Sequence, residues 1–314
     1  MPEDGRRPPL AAGKFRDPQI TLRGEPRARV SLRRLDTLWI NTGTLCNIAC
    51  PTCYIESSPR NDRLAYITPA EALPFLEEAA ALGTGEIGFT GGEPFMNPHI
   101  IPLLEAALER GFRVLVLTNA IKPMTHRRAQ VLDLHARHGD RLTLRVSLDH
   151  HTAACHDAER GAGAFAAALD GLQWLDRHGI GAAVAGRSRW GESLAAARAG
   201  YGALFRRHGL TLDAEDPRQL VLFPEMDAGR DVPEISTACW GILGKSPDDV
   251  MCASARMVVK RSGADRPAVL ACTLLPYDPR FELGATLADS RREVPLAHPH
   301  CATFCVLGGA SCSA

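Results

Sequence analysis

The chain has 314 residues, of which 45% are hydrophobic and 23% charged, with 36 basic and 36 acidic side chains. This composition is typical of a globular protein with a large core, and the formal net charge of zero gives no indication of nucleic-acid or membrane-surface binding. No apolar run approaches the ~20 residues that span a bilayer, and the N-terminus lacks an apolar signal-peptide segment. We therefore expect a cytoplasmic protein whose ten cysteines bind metal rather than form disulfides.

The N-terminal segment, residues 1–34, is rich in proline, glycine and arginine and carries nine basic against four acidic side chains. It shows no apolar periodicity. The segment is therefore predicted to be a basic, loose and solvated arm, with contact to a substrate or partner as the alternative.

From residue 35 to residue 230, short β-prone runs alternate with amphipathic segments. The first helix has a strong start signal in Thr68 followed by Pro69. Such alternation predicts an α/β fold with a parallel sheet, and functional groups at the C-terminal ends of its strands. The predicted strands are 35–41, 86–90, 113–118, 142–148, 180–185 and 219–223, and the predicted helices are 69–82, 98–110, 124–138, 163–178 and 191–208.

Residues 239–314 differ from the preceding part, because helical periodicity fades and six cysteines are concentrated there. The runs 257–260 and 268–272 flank a turn with Gly263 and predict a β-hairpin with a cysteine near each end. We expect a small cysteine-rich C-terminal domain.

The main chemical motif is formed by Cys46, Cys50 and Cys53, spaced C-x3-C-x2-C directly after the first predicted strand. Three thiolates from one loop can hold three irons of a [4Fe–4S] cluster and leave the fourth iron open for chemistry. A zinc site with a distant fourth ligand is the alternative.

A second motif, Gly91-Gly92-Glu93-Pro94, follows the second predicted strand and is expected at the same edge of the sheet. Glycines allow the backbone to approach a ligand closely, and a glutamate can accept a hydrogen bond from an ammonium group. A simple turn at the end of the strand is the alternative.

These two motifs, in this order, resemble those of the radical S-adenosylmethionine (radical SAM) superfamily, and the resemblance covers roughly residues 36–225. It implies a partial (β/α)6 TIM-like barrel and a [4Fe–4S] cluster whose open iron chelates SAM. Gly91, Gly92 and Glu93 would hold the amino group of SAM. An electron from a donor such as flavodoxin or ferredoxin would then cleave SAM to methionine and a 5′-deoxyadenosyl radical, which takes a hydrogen atom from the substrate.

The resemblance extends to further residues of the cofactor site. Asn119 and Ser147 end the third and fourth strands in segments that look like those facing the ribose or the methionine carboxylate of SAM. Arg160 matches an arginine that reaches this carboxylate in some relatives. Tyr54 is a possible adenine contact, although the family aromatic precedes the third cysteine, where this chain has Thr52. Strand-end capping and surface ion pairs are the alternatives for Asn119, Ser147 and Arg160.

Two carboxylates, Glu225 and Asp227, follow the sixth predicted strand at the mouth of the barrel. Either could bind substrate or take a proton after hydrogen abstraction, which is the role of a general base. Ordinary loop carboxylates are the alternative.

The C-terminal cysteines resemble a SPASM or twitch domain, which implies one additional [4Fe–4S] cluster ligated by Cys252, Cys272, Cys301 and Cys305. Cys312 and Cys239 are alternate ligands. The late pair is C-x3-C where the family has C-x2-C. Two auxiliary clusters, a structural zinc or free thiols are the alternatives.

The function predicted from the sequence is therefore that of a radical SAM oxidoreductase acting on a small-molecule substrate. The auxiliary cluster would assist a net oxidation or rearrangement. Two other functions stay open: maturation of a peptide or protein by the same chemistry, and electron transfer without catalysis.

Overall fold

The computed structural model describes residues 8–312, so residues 1–7 of the predicted N-terminal arm and the last two residues of the C-terminal domain lie outside it. Its strands are β1 (Arg29–Val30), β2 (Thr37–Asn41), β3 (Glu86–Thr90), β4 (Arg113–Thr118), β5 (Leu142–Ser147), β6 (Gly181–Ser188), β7 (Leu220–Pro224), β8 (Ala255–Val259), β9 (Ala268–Leu270), β10 (Glu282–Gly284) and β11 (Val294–Pro295). Its α-helices are α1 (Pro69–Ala81), α2 (Ile100–Glu109), α3 (Lys122–Thr125), α4 (Arg128–His138), α5 (Ala153–Arg160), α6 (Ala164–Arg177), α7 (Leu194–Arg207) and α8 (Cys239–Leu243).

Nine strands of the described chain form one sheet in the order β10-β9-β8-β2-β3-β4-β5-β6-β7. The strands β2 to β7 are parallel and follow chain order. Helices follow these strands and cover the outer face, where their apolar side chains form the main core with the sheet. This arrangement confirms the predicted α/β fold with six parallel strands.

The six predicted core strands all form, with ends that lie within three residues of the prediction. The predicted helix 124–138 is divided into α3 and α4. Helix α5 was missed because its buried face carries His156 and Glu159, which gives no apolar periodicity. Thr68 begins α1 with the predicted cap, since its side chain accepts from the backbone N–H of Glu71.

The predicted C-terminal hairpin forms from β8 and β9, but it does not stand apart from the barrel. Strand β8 pairs in parallel with β2, so that the hairpin continues the central sheet. The cysteine-rich segment is thereby held in a fixed position beside the first barrel strand.

The loose arm predicted for residues 1–34 is corrected for its described part, 8–34. Strand β1 pairs with β11, and Phe15 and Val30 are buried in a second core together with C-terminal side chains. Arg27 is 2% exposed and forms an ion pair of 2.6 Å with Glu234. This packing could not be predicted, because the few apolar residues have no regular spacing and the buried arginine needs a partner about 200 residues away.

None of the helices within residues 8–312 combines the length and the apolar character needed to cross a membrane.

Candidate active site

A cavity of about 180 Å³, here called the large cavity, lies at the C-terminal ends of the parallel strands. Its wall contains all three cysteines of the first motif, both glycines of the second motif and the strand-end residues Asn119 and Ser147. Tyr54 and Arg160 also line it. The structure therefore brings together most of the residues predicted from the sequence to surround SAM.

The loop that carries the cysteines is docked against the end of β3. The backbone N–H of Gly92 donates to Gly43 O at 2.8 Å, and that of Glu93 donates to Leu45 O at 3.1 Å. A Cβ atom on Gly91, whose φ is +148°, would lie 2.4 Å from Gly43 O, and one on Gly92 would lie 2.2 Å from Leu45 O. The two glycines thus admit the backbone of the cysteine loop as well as bordering the cavity.

Two of the three thiols of this loop, Cys46 and Cys50, are in surroundings that favour their neutral form in the absence of metal. Burial raises the pKa of Cys46 to about 12 and also raises the pKa of Cys50. Asn119 Nδ2 lies 3.9 Å from the sulfur of Cys46, and the backbone N–H of Ser57 donates to the sulfur of Cys53 at 3.3 Å. Such N–H groups stabilise a ligating sulfur, and binding of iron would release the thiol protons.

Glu93 occupies a different position from the one expected for a ligand of the SAM ammonium. Its side chain is 1% exposed and does not line the large cavity. The carboxylate accepts from Phe95 N at 3.1 Å, Thr118 Oγ1 at 2.8 Å and Asn119 N at 2.8 Å. Burial raises the pKa of Glu93 to about 7, although these hydrogen bonds oppose the shift. Through these hydrogen bonds, Glu93 connects the end of β3 to the end of β4 and positions Asn119.

Buried Asp149 and partly buried Arg160 form an ion pair on the cavity wall, with two hydrogen bonds of 2.7 and 2.9 Å. Burial alone would raise the pKa of Asp149, but Arg160 outweighs burial and lowers it. Burial likewise opposes the charge of Arg160, and the carboxylate of Asp149 nevertheless raises its pKa. Both groups therefore remain charged, and the guanidinium is fixed at the cavity by its partner.

A polar network surrounds Thr52, the residue in the place of the family aromatic. Thr52 Oγ1 donates to Glu159 Oε2 at 2.6 Å and accepts from Arg187. Arg187 lines the cavity and also forms an ion pair of 2.8 Å with Glu225. Sequence reasoning missed Glu159 and Arg187 as a pair, because they come from α5 and the end of β6.

Neither of the carboxylates suggested as catalytic lines the large cavity. Glu225 is held by Arg187, as described above, and its neighbour Met226 lines the wall instead. Asp227 is about half exposed, accepts from Gly229 N at 2.8 Å and faces Arg230 at 3.4 Å. Glu225 is therefore paired with Arg187, Asp227 is paired with Arg230, and a catalytic role for either carboxylate stays a prediction.

A second, smaller cavity of about 20 Å³ lies among apolar side chains of the C-terminal part. Cys252, Cys272, Cys301 and Cys305 all line this small cavity. These are the four residues predicted as auxiliary ligands. Burial raises the pKa of Cys252 to about 11 and that of Cys272 to about 12, so these thiols are neutral without metal.

A buried arginine provides a test of whether this cysteine set suits an anionic metal cluster. Arg256 is fully buried and donates to the carbonyls of Ser290, Cys252 and Ala255, while its Nη2 has no hydrogen-bond partner within residues 8–312. Its pKa is lowered by burial, and negative charge on Cys252 and Cys272 would oppose that shift. A buried cation without a counter-charge is costly, so the cysteines and Arg256 together fit a negatively charged iron–sulfur cluster.

The two alternate ligands lie elsewhere. Cys312 lines the large cavity, accepts from Thr273 Oγ1 at 3.2 Å through its sulfur, and is held through its carbonyl by Arg145 Nη1 at 2.8 Å. Cys239 lies 3.6 Å from Ser236 Oγ and lines neither cavity.

The structure thus has an α/β sheet with three cysteines of one loop on the wall of the cavity at the C-terminal ends of its parallel strands. Residues 40–187 match the Radical SAM superfamily, and this segment is a radical SAM domain with SAM-binding and iron–sulfur character. The domain implies a [4Fe–4S] cluster and SAM as cofactors.

The curated proteins to which this chain is similar include two that match it over less than half its length. It is 30% identical over 136 residues to the antilisterial bacteriocin subtilosin biosynthesis protein AlbA of Bacillus subtilis, covering 43% of this chain and 29% of the relative. It is 31% identical over 132 residues to the AdoMet-dependent heme synthase of Methanosarcina barkeri, covering 41% and 36% of the two chains. The match thus spans about a third of these relatives.

Among solved structures, the fold is similar to that of Streptococcus suis SuiB bound to its precursor peptide SuiA. The TM-score is 0.60 at 12% identity, with 81% of this chain and 63% of SuiB covered. The likeness extends beyond residues 40–187, and at this identity it concerns the fold alone.

Proposed function

We propose that this protein is a radical SAM enzyme that reductively cleaves SAM and abstracts a hydrogen atom from its substrate. The observation that carries the proposal is that Cys46, Cys50, Cys53 and the glycine motif border one cavity with Arg160. When bound, the cluster and SAM supply an electron and a 5′-deoxyadenosyl radical.

The residues of the large cavity have separate tasks in this proposal. The three cysteines hold the cluster, and Asn119 orients the ligand sulfur of Cys46. Arg160, fixed by Asp149, would bind the carboxylate of SAM through a charge-assisted hydrogen bond. Tyr54 offers an apolar ring surface for adenine on the same wall.

We propose in addition that Cys252, Cys272, Cys301 and Cys305 hold one auxiliary [4Fe–4S] cluster. Their shared small cavity and the unpaired Nη2 of Arg256 support it. The cluster would accept an electron from a substrate radical or bind the substrate. Cys312, on the wall of the large cavity, is not needed as a ligand in this arrangement.

A small molecule is the substrate class proposed first, since the large cavity has a volume of about 180 Å³, is bordered by Phe223 and Phe304 and would also have to hold SAM. A peptide is the second candidate, and the similarity to AlbA favours it. Electron transfer without catalysis is the least supported function, because a simple carrier has no need of a cofactor cavity beside its open cluster. The electron donor would be a flavodoxin or ferredoxin.

The test is anaerobic reconstitution with iron and sulfide, followed by an assay for 5′-deoxyadenosine with dithionite and SAM. Formation of 5′-deoxyadenosine is expected, and stimulation by a panel of metabolites or of peptides would separate the two substrate classes. A reconstituted protein that binds a cluster yet cleaves no SAM would contradict the enzyme proposal and favour the carrier.

A further inference from the structure

A tyrosine from the C-terminal part of the chain holds the loop that carries the first three cysteines. Tyr277 lies in the loop after β9, shortly after the proposed auxiliary ligand Cys272. Its hydroxyl donates to Ile55 O at 2.9 Å. The guanidinium carbon of Arg63 lies 3.5 Å from the centroid of the Tyr277 ring, and this cation–π contact fixes the ring. The C-terminal part thus contacts the cysteine loop directly.

The side-chain amide of Asn61 completes this contact. Its Nδ2 lies 2.9 Å from Glu56 O, 3.4 Å from Ile55 O and 3.3 Å from the Tyr277 hydroxyl. An amide nitrogen has only two hydrogens to share among these three oxygens. Tyr277 therefore supplies the shorter bond to Ile55 O, and Asn61 supplies the bond to Glu56 O.

These two carbonyls belong to the peptide groups on either side of a strained backbone position. Glu56 has a φ of +53°, in the left-handed region that a residue with a Cβ atom adopts only at a cost in free energy. Its side chain is exposed and pairs with Arg63. Such a conformation persists where the surrounding contacts determine it. Here the contacts are the hydrogen bonds from Tyr277 and Asn61, which hold both dihedral angles of Glu56.

The same two peptide groups direct their N–H groups at Cys53. The N–H of Glu56 donates to Cys53 O at 2.9 Å, and the N–H of Ser57 donates to Cys53 Sγ at 3.3 Å. The C=O and N–H of one peptide group point in opposite directions within a rigid plane. A bond that fixes the carbonyl on one side therefore aims the N–H on the other side at its target.

We propose that Tyr277 is a positioning residue for the SAM cluster, because it holds the loop so that the N–H of Ser57 donates to the sulfur of Cys53. The inference rests on the proposed function, in which Cys53 is a ligand of that cluster. Hydrogen bonds to the sulfurs are among the factors that set the potential of an iron–sulfur cluster, and they stabilise its reduced, more negative form. The C-terminal part thereby makes the SAM cluster easier to reduce.

Tyr277→Phe tests this inference, since it keeps the ring that contacts Arg63 and removes only the hydroxyl. The full chain is reconstituted anaerobically with iron and sulfide. Its SAM cluster is recognised as the EPR signal that is missing when Cys46, Cys50 and Cys53 are replaced with alanine. Redox titration of that signal should give a potential more negative by about 59 mV in Tyr277→Phe, which corresponds to a tenfold change in a one-electron equilibrium.

Three further variants test the route from the hydroxyl to the sulfur. Tyr201→Phe is the matched control, because it also removes a tyrosine hydroxyl that donates to a carbonyl, that of Leu148, and it should leave the potential unchanged. In a Glu56→Gly background, Tyr277→Phe should shift the potential less, since glycine adopts a positive φ without strain. Should Tyr277→Phe fail to fold, Asn61→Ala replaces it, because this change removes the bond to Glu56 O and should give the same negative shift.

Equal potentials in the parent and Tyr277→Phe would overturn the inference, and so would an equally large shift in the Glu56→Gly background. A shift of the same size in Tyr201→Phe would also overturn it, since the loss of any tyrosine hydroxyl would then be sufficient. All three results leave the SAM cluster itself in place. A parent that lacks the EPR signal of this cluster after reconstitution would instead refute the proposed function, and the inference with it.

Discussion

The guanidinium of Arg160 donates two hydrogen bonds to the carboxylate of Asp149, from Nε to Oδ2 at 2.7 Å and from Nη2 to Oδ1 at 2.9 Å. Asp149 is 3% exposed, and both residues border the large cavity. Because the carboxylate fixes the plane of the guanidinium, the remaining N–H groups of Arg160 have a set direction. The pair therefore couples the stability of the rim to the orientation of the group proposed to bind the SAM carboxylate.

The first prediction concerns Asp149→Asn, which keeps the shape but removes the charge facing Arg160. Breaking a buried pair leaves one uncompensated charge, so the free energy of unfolding should fall by about 3–5 kcal/mol. Urea denaturation of parent and variant measures this loss. Arg137→Gln, which breaks exposed pairs with Glu105 and Asp133, is the control and should cost about 1 kcal/mol or less. Equal losses in the two variants would show that the buried pair has no special role.

The second prediction tests the two cysteine sets together. Replacing Cys46, Cys50 and Cys53 with alanine should abolish 5′-deoxyadenosine formation and remove about one cluster's worth of iron, four atoms. The protein should keep its remaining iron, because Cys252 and its three partners surround a separate cavity. Mössbauer spectroscopy and iron counting make the measurement. Parent-level SAM cleavage in the triple variant would refute the assignment of the SAM cluster.

Local features of the fold and of the site could be predicted from the sequence. The strands Glu86–Thr90 and Arg113–Thr118 were predicted to the residue, because buried parallel strands are short apolar runs with clear ends. The cysteine and glycine motifs were predictable because covalent spacing fixes what one loop can ligate.

Contacts between distant segments could not be predicted in the same way. Arg27 is buried against Glu234, and Arg187 against Glu159, and neither arginine differs from a surface arginine in its local sequence. The direction of the Glu93 side chain could not be predicted either. A glutamate after two glycines is equally compatible with binding a ligand and with accepting hydrogen bonds from the end of a neighbouring strand. The sequence predicts which groups are near the cavity, and the fold decides which of them face it.

The third prediction concerns Glu93→Gln. From the sequence, the expected effect is a loss of SAM affinity, whereas the structure predicts mainly a loss of stability. An amide in this position would turn a donor toward the N–H of either Asn119 or Phe95, which costs about 1–3 kcal/mol. Chemical denaturation, together with calorimetric SAM binding by the folded fraction, separates the two effects. A tenfold or larger loss of SAM affinity with unchanged stability would favour direct contact with the cofactor.

Glu93 should also make the free energy of unfolding of the parent protein depend on pH. The pKa of Glu93 is about 7 in the folded protein and 4.5 in the reference state, so its folded pKa is raised. Its contribution to stability is therefore fully present below pH 4.5 and is lost as the pH rises through 7. The parent should lose on the order of 3 kcal/mol relative to Glu93→Gln across this window. A parent and variant with parallel pH profiles of unfolding free energy would contradict the buried, titrating carboxyl.

The last prediction uses Arg256 to examine the proposed auxiliary cluster. A fixed positive charge beside a cluster stabilises the reduced, more negative form, so removing it should make reduction harder. Arg256→Gln should shift the potential of the auxiliary cluster to more negative values by on the order of 50 mV, close to a tenfold change in a one-electron equilibrium. Arg256→Lys keeps the charge but loses the guanidinium group that donates to Ser290 O and Cys252 O, and it should shift the potential much less.

Redox titration followed by EPR, in a background lacking Cys46, Cys50 and Cys53, measures the potential of this cluster alone. Arg145→Gln, which removes a second buried arginine that instead holds Cys312 O, is the matched control and should leave the potential near that of the parent. Equal potentials in the parent and Arg256→Gln would show that the charge of Arg256 does not face a cluster, and would leave its unpaired Nη2 without this explanation.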